Sequence, residues 1–253
     1  MTEHLQIGRE GPIQTLRFNR PEKKNALTNA MYRELTKALQ DAGPDDTIRA
    51  SVFLGQPGIF TAGNDLSDFI AASQDSGWEG HALNFLFALA ESPKPLIAAV
   101  DGVAIGIGVT LLMHCDLAFA SGRSTFQTPF VNLAAVPEAA SSLIAPRLMG
   151  HARAFELLVM GEIFSAERAR EAGLINHVHA PEEVGPAAMA AAASLASKPQ
   201  EAVRLSRRLL KGDPAEIKAR MKEEVQLFVQ CLRSPEAVAV LQAFLQKSSR
   251  VAE

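Results

Sequence analysis

Short apolar segments alternate with helical segments through the first half of the chain, and this alternation constrains the fold more than any other feature. Strands are predicted at 13–18, 50–54, 96–100 and 117–120, and a helix capped by Thr28 separates the first two. Such alternation is typical of crossover units, which pair their strands in parallel. The sequence therefore predicts an α/β fold with a largely parallel core.

After residue 137 the pattern is mostly helical, with one further strand predicted at 174–178. The other predicted helices cover 78–92, 109–114, 139–149, 151–160, 165–172, 181–196, 199–211, 214–231 and 235–247. We therefore expect an α/β core over 1–195, followed by a helical C-terminal region over 196–253.

Overall charge and cysteine content exclude several classes of partner. A net charge of -3 gives no electrostatic reason to bind nucleic acid or anionic lipid. Two cysteines are too few for a disulfide framework or a cysteine zinc site. The longest apolar stretch, 95–113, contains Asp101 and three glycines, so no membrane span is expected. The chain shows neither a signal peptide nor a peroxisomal address, so a cytoplasmic location is expected.

Two glycine-rich turns, at 60–66 and 101–108, each follow a short apolar strand. In open α/β sheets, ligands bind at the carboxyl ends of the strands, and glycines let backbone N–H groups approach a ligand closely. A helix that begins after Gly106 would add its dipole to such a donor. The segment also starts a G-x-G-x-x-G pattern, but position 111 is Leu, so a dinucleotide site is not expected. The residues alone leave open whether these turns bind a ligand or are plain tight turns.

Glu138 stands in the otherwise apolar segment 133–140. Carboxylates are rarely buried unless they are paired or used, and burial would raise the pKa of Glu138 toward that of a general base. Pro137, however, also suits the first position of a helix, where a nearby acidic residue is favourable. Both interpretations remain open from the residues themselves.

Other polar clusters are expected to be structural. His114, Cys115 and Asp116 are the residue types of a catalytic triad, but consecutive side chains point in different directions. His177 and His179 share one face of a strand, yet no third ligand is close in sequence, so no metal site is expected. A basic helical face is expected to be solvated; it comprises Lys198, Arg204, Arg207, Arg208 and Lys211.

Four motifs together resemble the enoyl-CoA hydratase/isomerase (crotonase) superfamily. They are Asn-Arg-Pro at 19–21, Ala-Gly-Asn-Asp-Leu at 62–66, the block 101–116, and Pro-Glu at 137–138. The resemblance implies a crotonase-like (ClpP/crotonase) spiral of ββα units with a helical C-terminal trimerisation region. It also implies a homotrimer or a dimer of trimers, with an acyl-CoA as the bound partner. No cofactor is expected, because the coenzyme A thioester is itself the substrate.

The resemblance assigns roles to particular residues. Asn64 and Ile107, which follow Gly63 and Gly106, would supply two oxyanion N–H groups. The coenzyme A groove would be lined by Lys24, Ala26, Ala62 and Arg20. Phe244 and Lys247 would reach coenzyme A from the C-terminal region, often from a neighbouring subunit. Asp65 is expected to point away from the oxyanion hole and to hold its loop, because a carboxylate aimed inward would repel the oxyanion.

Departures from the superfamily pattern favour one reaction. The two glutamates of family hydratases would fall at Thr110 and Phe130, and neither residue can act as a carboxylate base. The chain instead resembles the peroxisomal-type Δ3,Δ2-enoyl-CoA isomerases through 63–66, 126–130 and 133–138, and their single catalytic glutamate falls on Glu138. Phe130 would then form an apolar wall that excludes water. A hydratase or another crotonase reaction is the alternative, and a non-catalytic protein that binds coenzyme A or RNA is a second one.

Overall fold

The computed structural model describes residues 3–65, 67–68, 80–237 and 239–240. Within these ranges the strands are Leu5–Glu10 (β1), Ile13–Phe18 (β2), Ala50–Leu54 (β3), Ile59–Thr61 (β4), Leu96–Val100 (β5), Val103–Ile105 (β6), Leu117–Ser121 (β7), Thr125–Gln127 (β8), Phe164–Ser165 (β9) and His177–His179 (β10). The α-helices are Asn29–Ala42 (α1), His81–Glu91 (α2), Ile107–Thr110 (α3), Ser141–Met149 (α4), His151–Leu158 (α5), Ala166–Glu171 (α6), Val184–Ala196 (α7), Gln200–Lys211 (α8) and Pro214–Leu232 (α9).

The strands form two sheets, and from β3 to β8 the chain alternates between them. The larger sheet has the order β1-β2-β3-β5-β7-β10, and the smaller has the order β4-β6-β8-β9. The hairpin β1–β2 and the pair β8–β9 are antiparallel, whereas the other pairs are parallel. The pairs β3–β4, β5–β6 and β7–β8 each give one strand to each sheet, which agrees with the predicted spiral of ββα units.

Both faces of the larger sheet are covered by apolar residues. On one face, α7 presents Val184, Ala188 and Ala192, one helical turn apart, to β3 and β5. Small alanine side chains let this helix lie close to the sheet. The opposite face, the smaller sheet and α1 form the main core, in which Phe18, Phe53 and other aromatic rings are fully buried. A sheet covered on both sides explains why its central strands are continuous apolar runs.

Helix α1 follows the sequence prediction closely. The Thr28 side chain accepts a hydrogen bond from the Met31 N–H, which caps the first turn, and Gly43 ends the helix. Its buried stripe includes Met31, Tyr32, Leu35, Ala38 and Leu39. The helix therefore packs one face onto the core next to the first glycine-rich turn.

Several short strands were not predicted. Strands β4 and β6 overlap the two segments interpreted as glycine-rich turns, and β1, β8 and β9 were missed as well. Strand β10 begins at residue 177, later than the predicted start at 174. For β4, β6, β8 and β9 the reason is physical: strands of two or three residues show no periodicity, and their pairing depends on partners far away in the chain.

The helix predicted to start at residue 139 begins instead at Ser141, because Ala139 and Ala140 both adopt left-handed backbone angles. The helix predicted at 78–92 is described from His81 to Glu91, and most of the one predicted at 235–247 lies outside the described residues. The division of the chain at residue 195 stays a prediction.

Helix α8 corrects one interpretation. Arg207 and Lys211 were assigned to a solvated basic face, but both turn toward Asp116. Arg207 Nε lies 2.7 Å from Asp116 Oδ2, and the Arg207 side chain is only 10% exposed. Burial lowers the pKa of Lys211, although the Asp116 charge opposes that shift. The contacts of Arg207 and Lys211 with Asp116 therefore hold α8 against the core, since a buried cation needs an anionic partner. In the described part of the chain, no helix is long and apolar enough to cross a membrane.

Candidate active site

The first glycine-rich turn is held in place by a short bridge to the segment before α1. Leu27 N–H donates to Gly63 O over 2.8 Å, and Asp65 N–H donates to Leu27 O over 2.9 Å. In a parallel bridge the N–H of the intervening residue, Asn64, points to the opposite side. Gly63 has φ 94°, and a Cβ there would lie 3.1 Å from Ile105 O. The turn thus brings the Asn64 amide against the end of β6.

The second turn starts a helix. Gly106 has φ 56° and ψ -117°, a combination that side chains rarely allow, and its N–H donates to Gln127 O over 2.9 Å. The Gly106 carbonyl accepts hydrogen bonds from Val109 and Thr110. Ile107 is the first residue of α3, where an N–H has no carbonyl one turn earlier to bond. Its amide is therefore available to a ligand.

Parallel pairing places these two turns side by side. Thr61 of β4 pairs with Ala104 of β6, so both strands end at the same edge of the smaller sheet. A Cβ on Gly108 would lie 2.5 Å from the Thr61 side chain, so glycine is required for this close approach. Asn64 and Ile107 consequently line one cavity. The described residues that line it are Tyr32, Asn64, Ala82, Leu83, Leu86, Ile107, Glu138, Val225 and Phe228.

Among the described residues that line the cavity, Glu138 is the one that carries a carboxyl group. Its Oε1 accepts a hydrogen bond from the Thr110 hydroxyl over 2.6 Å. Burial raises the pKa of Glu138 from 4.5 to about 7, the Thr110 hydrogen bond opposes the rise, and the Glu224 charge adds to it. A carboxyl group with a pKa near neutrality can both accept and return a proton, which is what a general base must do.

Tyr32 is a site residue that the sequence did not single out. Its hydroxyl donates to the Asn64 side-chain oxygen, and its ring packs against Phe85 with centroids 5.6 Å apart. Burial raises the pKa of Tyr32 well above 10, and the charges of Glu138 and Asp68 raise it further. The hydroxyl therefore stays protonated and anchors the residue that carries one of the two amides. Its only sequence signal is its place beside the apolar stripe of α1.

Asp65 behaves as expected. Its Oδ2 lies 2.6 Å from Arg20 Nη1, while its Oδ1 accepts from the Ser67 N–H over 3.0 Å. The hydrogen bonds from Arg20 and from the loop backbone hold the pKa of Asp65 below its usual value although partial burial opposes them. The carboxylate holds the loop and does not line the cavity. Arg20 Nη1 makes this ion pair and also donates a hydrogen bond to Ala26 O over 3.1 Å.

The segment assigned to coenzyme A lies along the first turn. Ala62 N–H donates to Lys24 O over 2.8 Å, and the Lys24 side chain is exposed. Phe130 is buried in the main core and is not among the described residues that line the cavity. Phe244 and Lys247 lie outside the described residues.

The residues of the triad-like cluster have separate partners, as expected. His114 Nε2 bonds to Ala139 O over 2.8 Å, whereas Asp116 accepts from the Leu96 N–H. Burial raises the pKa of the Cys115 thiol to about 12, which makes it a poor nucleophile. His177 and His179 pack against the ring of Phe119.

Comparison with known proteins agrees with the geometry. A family profile described as enoyl-CoA hydratase/isomerase matches residues 8–251. The rat protein enoyl-CoA delta isomerase 2 is 35% identical over 248 residues, which cover 96% of this chain and 63% of that protein. The chain thus spans less than two thirds of this longer relative. The structure of OdaA from Pseudomonas aeruginosa superposes with a TM-score of 0.92 at 43% identity, covering 96% of this chain and 99% of the other.

A relative with a different named reaction also matches. The 4-chlorobenzoyl coenzyme A dehalogenase-1 of an Arthrobacter species is 29% identical over 254 residues, covering 98% of this chain and 92% of that protein. Relatives that share the whole fold are thus named for different reactions, and the reaction of this chain has to be inferred from its site residues.

Proposed function

The chain belongs to the enoyl-CoA hydratase/isomerase family, and we propose that it is a Δ3,Δ2-enoyl-CoA isomerase that converts 3-enoyl-CoA into 2-enoyl-CoA thioesters. Enzymes of this family act on acyl-CoA substrates. The observation that carries the proposal is that Glu138, Asn64 and Ile107 line a single cavity. The full activity of the longer delta isomerase relatives is part of the proposal, because this chain spans only part of their length.

The proposed reaction is a proton shuttle. The thioester oxygen accepts hydrogen bonds from the N–H groups of Asn64 and Ile107, and Glu138 removes a proton from C2. The electron pair of the broken C–H bond moves into the dienolate, so negative charge develops on the thioester oxygen. Glu138 then returns the proton to C4, and the double bond ends between C2 and C3. Atoms and charge balance without a co-reactant.

The environment of Glu138 suits this cycle. With a pKa of about 7, the carboxyl group of Glu138 is substantially ionised at neutral pH and can accept a proton. The protonated form can then give the proton back to the substrate in the same turnover. Thr110 occupies Oε1, so the other oxygen is left to contact the substrate. One carboxyl group suffices, because an isomerase moves a proton and does not hold a water.

The amides are expected to contribute at least as much as the base. Loss of one oxyanion donor typically lowers kcat by about 10²–10³-fold, and a general base contributes about 10²–10⁴-fold. Both donors are main-chain groups, so their geometry depends on Gly63 and Gly106, whose positive φ angles set the two turns.

Coenzyme A is proposed to lie along the first turn. The exposed Lys24 and the adjoining Ala26 and Ala62 would contact it, and the apolar residues of α2 and α9 would contact the acyl chain. The contributions of Phe244 and Lys247 remain proposals from the resemblance. Coenzyme A is substrate in this scheme, and no separate cofactor is proposed.

A homotrimer, or a dimer of trimers, is proposed for the assembly. Helix α8 supports it, because Leu209 and Leu210 are 80% and 88% exposed side by side at its end, and adjacent exposed leucines are typical of contact surfaces. Sedimentation should give three or six chains per particle, and Leu210→Asp should lower that number. A wild-type monomer at micromolar concentration would contradict the assembly.

The cytoplasm is proposed as the location. Cys115 and Cys231 are free thiols, which suits a reducing compartment. Fractionation of cells that express the tagged chain would test this, and recovery with an organelle or an extracellular fraction would contradict it.

The choice of substrate discriminates among reactions. We expect 3-hexenoyl-CoA to be converted to 2-hexenoyl-CoA, and crotonyl-CoA to be hydrated slowly or not at all. Rapid hydration of crotonyl-CoA without isomerisation would favour a hydratase. Binding of coenzyme A without turnover of either thioester would favour a non-catalytic protein.

A further inference from the structure

The residues that follow Glu138 have an unfavourable backbone. Ala139 has φ 63° and Ala140 has φ 56°, so two consecutive alanines are left-handed. L-residues other than Asn and Asp rarely adopt this conformation even singly, because Cβ approaches the backbone carbonyl. Such a turn persists only when its surroundings hold it. The contacts that hold it also fix where the Glu138 carboxyl points.

One contact comes from the buried residue His114. Its Nε2 lies 2.8 Å from the Ala139 carbonyl oxygen, so this nitrogen carries the donated proton. Burial and the nearby Lys211 lower the pKa of His114 to about 4. The ring is therefore neutral at physiological pH and holds the first alanine by a single hydrogen bond.

The stronger contact comes from Glu224 on α9, which is only 4% exposed. Its Oε2 accepts from the Ala140 N–H over 2.5 Å, and its Oε1 accepts from the Ser142 N–H over 3.0 Å and from the Ser142 hydroxyl over 2.6 Å. Three donors that converge on two oxygens match a carboxylate, which accepts and cannot donate. The acid thus bonds the second alanine and the first turn of α4.

Charges around this contact define what Glu224 can do to Glu138. Burial raises the pKa of Glu224, while the hydrogen bonds from Ser142 and Ala140 and the charge of Arg220 oppose that rise. Arg220 also donates to the Ser142 hydroxyl over 3.2 Å and pairs with Glu223. His114, which contacts the turn at Ala139 O, is neutral. Among the described charged groups, Glu224 itself acts on Glu138, and its charge adds to the rise in the pKa of Glu138.

We propose that Glu224 is a positioning residue for Glu138: from the C-terminal helix it holds the left-handed turn Ala139–Ala140 and so aims the Glu138 carboxyl into the cavity. Helix α9 also supplies Val225 and Phe228 to the cavity lining. One helix therefore contacts both the apolar part of the site and the backbone next to its acid. The inference rests on the proposed isomerase function for its kinetic readout.

The test is Glu224→Gln, which keeps the shape but removes the charge and turns one acceptor into a donor. We expect kcat on 3-hexenoyl-CoA to fall by about tenfold or more, since small misplacements of a reacting group have effects of this size, while KM changes by less than about threefold. The ascending limb of kcat against pH should move to lower pH, because an anion that raises the pKa of Glu138 is gone. Glu223→Gln, on the exposed side of the same helix, is the matched control and should change neither.

Rescue separates positioning from general stability. Glycine adopts left-handed angles freely, so adding Ala140→Gly to Glu224→Gln should restore kcat by about threefold or more while the pH midpoint stays lowered. Ala140→Gly alone is the reference for this comparison. A Glu224→Gln protein with wild-type kcat and pH midpoint would overturn the inference. A purely structural role of Glu224 would lower kcat, leave the pH midpoint unmoved and give no rescue by glycine. That result would also overturn the inference.

A measurement without substrate keeps this test independent of the isomerase proposal. The difference in unfolding free energy between a protein and its Glu138→Gln derivative titrates with the pKa of Glu138. Its midpoint should lie at lower pH in the Glu224→Gln background than in the wild-type background. If wild type fails to isomerise 3-hexenoyl-CoA but the midpoint moves, the isomerase function fails and the coupling of Glu224 to Glu138 stands. Equal midpoints would overturn the coupling.

Discussion

Replacing Glu138 by Gln should stabilise the fold above neutral pH. A carboxylate that lies in an apolar cavity lacks the water that stabilises its charge, so the folded state holds the proton of Glu138 more tightly than the unfolded state does. Its pKa accordingly rises from 4.5 to about 7. Gln has nearly the same shape and can still accept the hydrogen bond from Thr110, but it has no charge to desolvate.

The sign and size of the effect follow from linkage. Below pH 4.5 both states of Glu138 are protonated, so wild type and Glu138→Gln should differ little. As the pH rises from 4.5 to about 7, the unfolded state ionises first, and the wild type loses stability relative to the variant. Above pH 7 the difference is constant. At about 1.4 kcal/mol per pH unit the full cost is about 3 kcal/mol, and partial contact of the side chain with solvent lowers the expected value to about 1–3 kcal/mol.

Urea unfolding of both proteins between pH 4 and pH 9 measures this difference, at matched protein concentration because assembly also affects stability. Glu223→Gln is the control, since its side chain is 62% exposed and the substitution removes a charge that is not buried. A constant difference across the pH range, or a variant that is less stable than wild type at pH 8, would refute the argument that Glu138 is ionised at a cost in the folded protein.

Three further predictions concern the groups around the cavity. Thr110→Val removes the hydrogen bond that opposes the pKa rise of Glu138. The ascending limb of kcat against pH should therefore move to higher pH, and kcat should fall about tenfold. An unmoved limb would argue against the hydrogen bond between Thr110 and Glu138. Gly63→Ala introduces a Cβ 3.1 Å from Ile105 O at φ 94°, so kcat/KM should fall about 10²-fold. The control Gly80→Ala adds a Cβ in open space and should leave kcat/KM unchanged. Equal effects of the two substitutions would contradict the role of the turn. Tyr32→Phe keeps the ring but frees the Asn64 side chain; unfolding free energy should fall by about 1 kcal/mol and kcat by about threefold, and wild-type values of both would remove Tyr32 from the site.

The sequence allowed the main features of the fold and of the site to be predicted for identifiable reasons. Long apolar strands and the capped helix α1 carry periodic signals, and the glycine turns mark where backbone must approach backbone or a ligand. Glu138 was recognisable because a lone acid in an apolar segment needs a reason to be there, although the family resemblance was needed to choose between the two interpretations.

What the sequence could not predict depends on contacts between distant residues. Tyr32 and Glu224 act on Asn64 and on the turn after Glu138 from helices elsewhere in the chain, and neither stands out in its own segment. Arg207 was assigned to a solvated face because its partner, Asp116, belongs to another element. The shortest strands were missed because pairing, and not their own pattern, defines them.

Turnover of 3-hexenoyl-CoA by Glu138→Gln, followed by product identification with binding measured in parallel, tests the central claim most directly. We expect the wild type to release 2-hexenoyl-CoA and the variant to lose at least about 10²-fold in kcat, while it binds the thioester with unchanged affinity because the amides of Asn64 and Ile107 remain. A variant that isomerises at the wild-type rate would show that Glu138 is not the base.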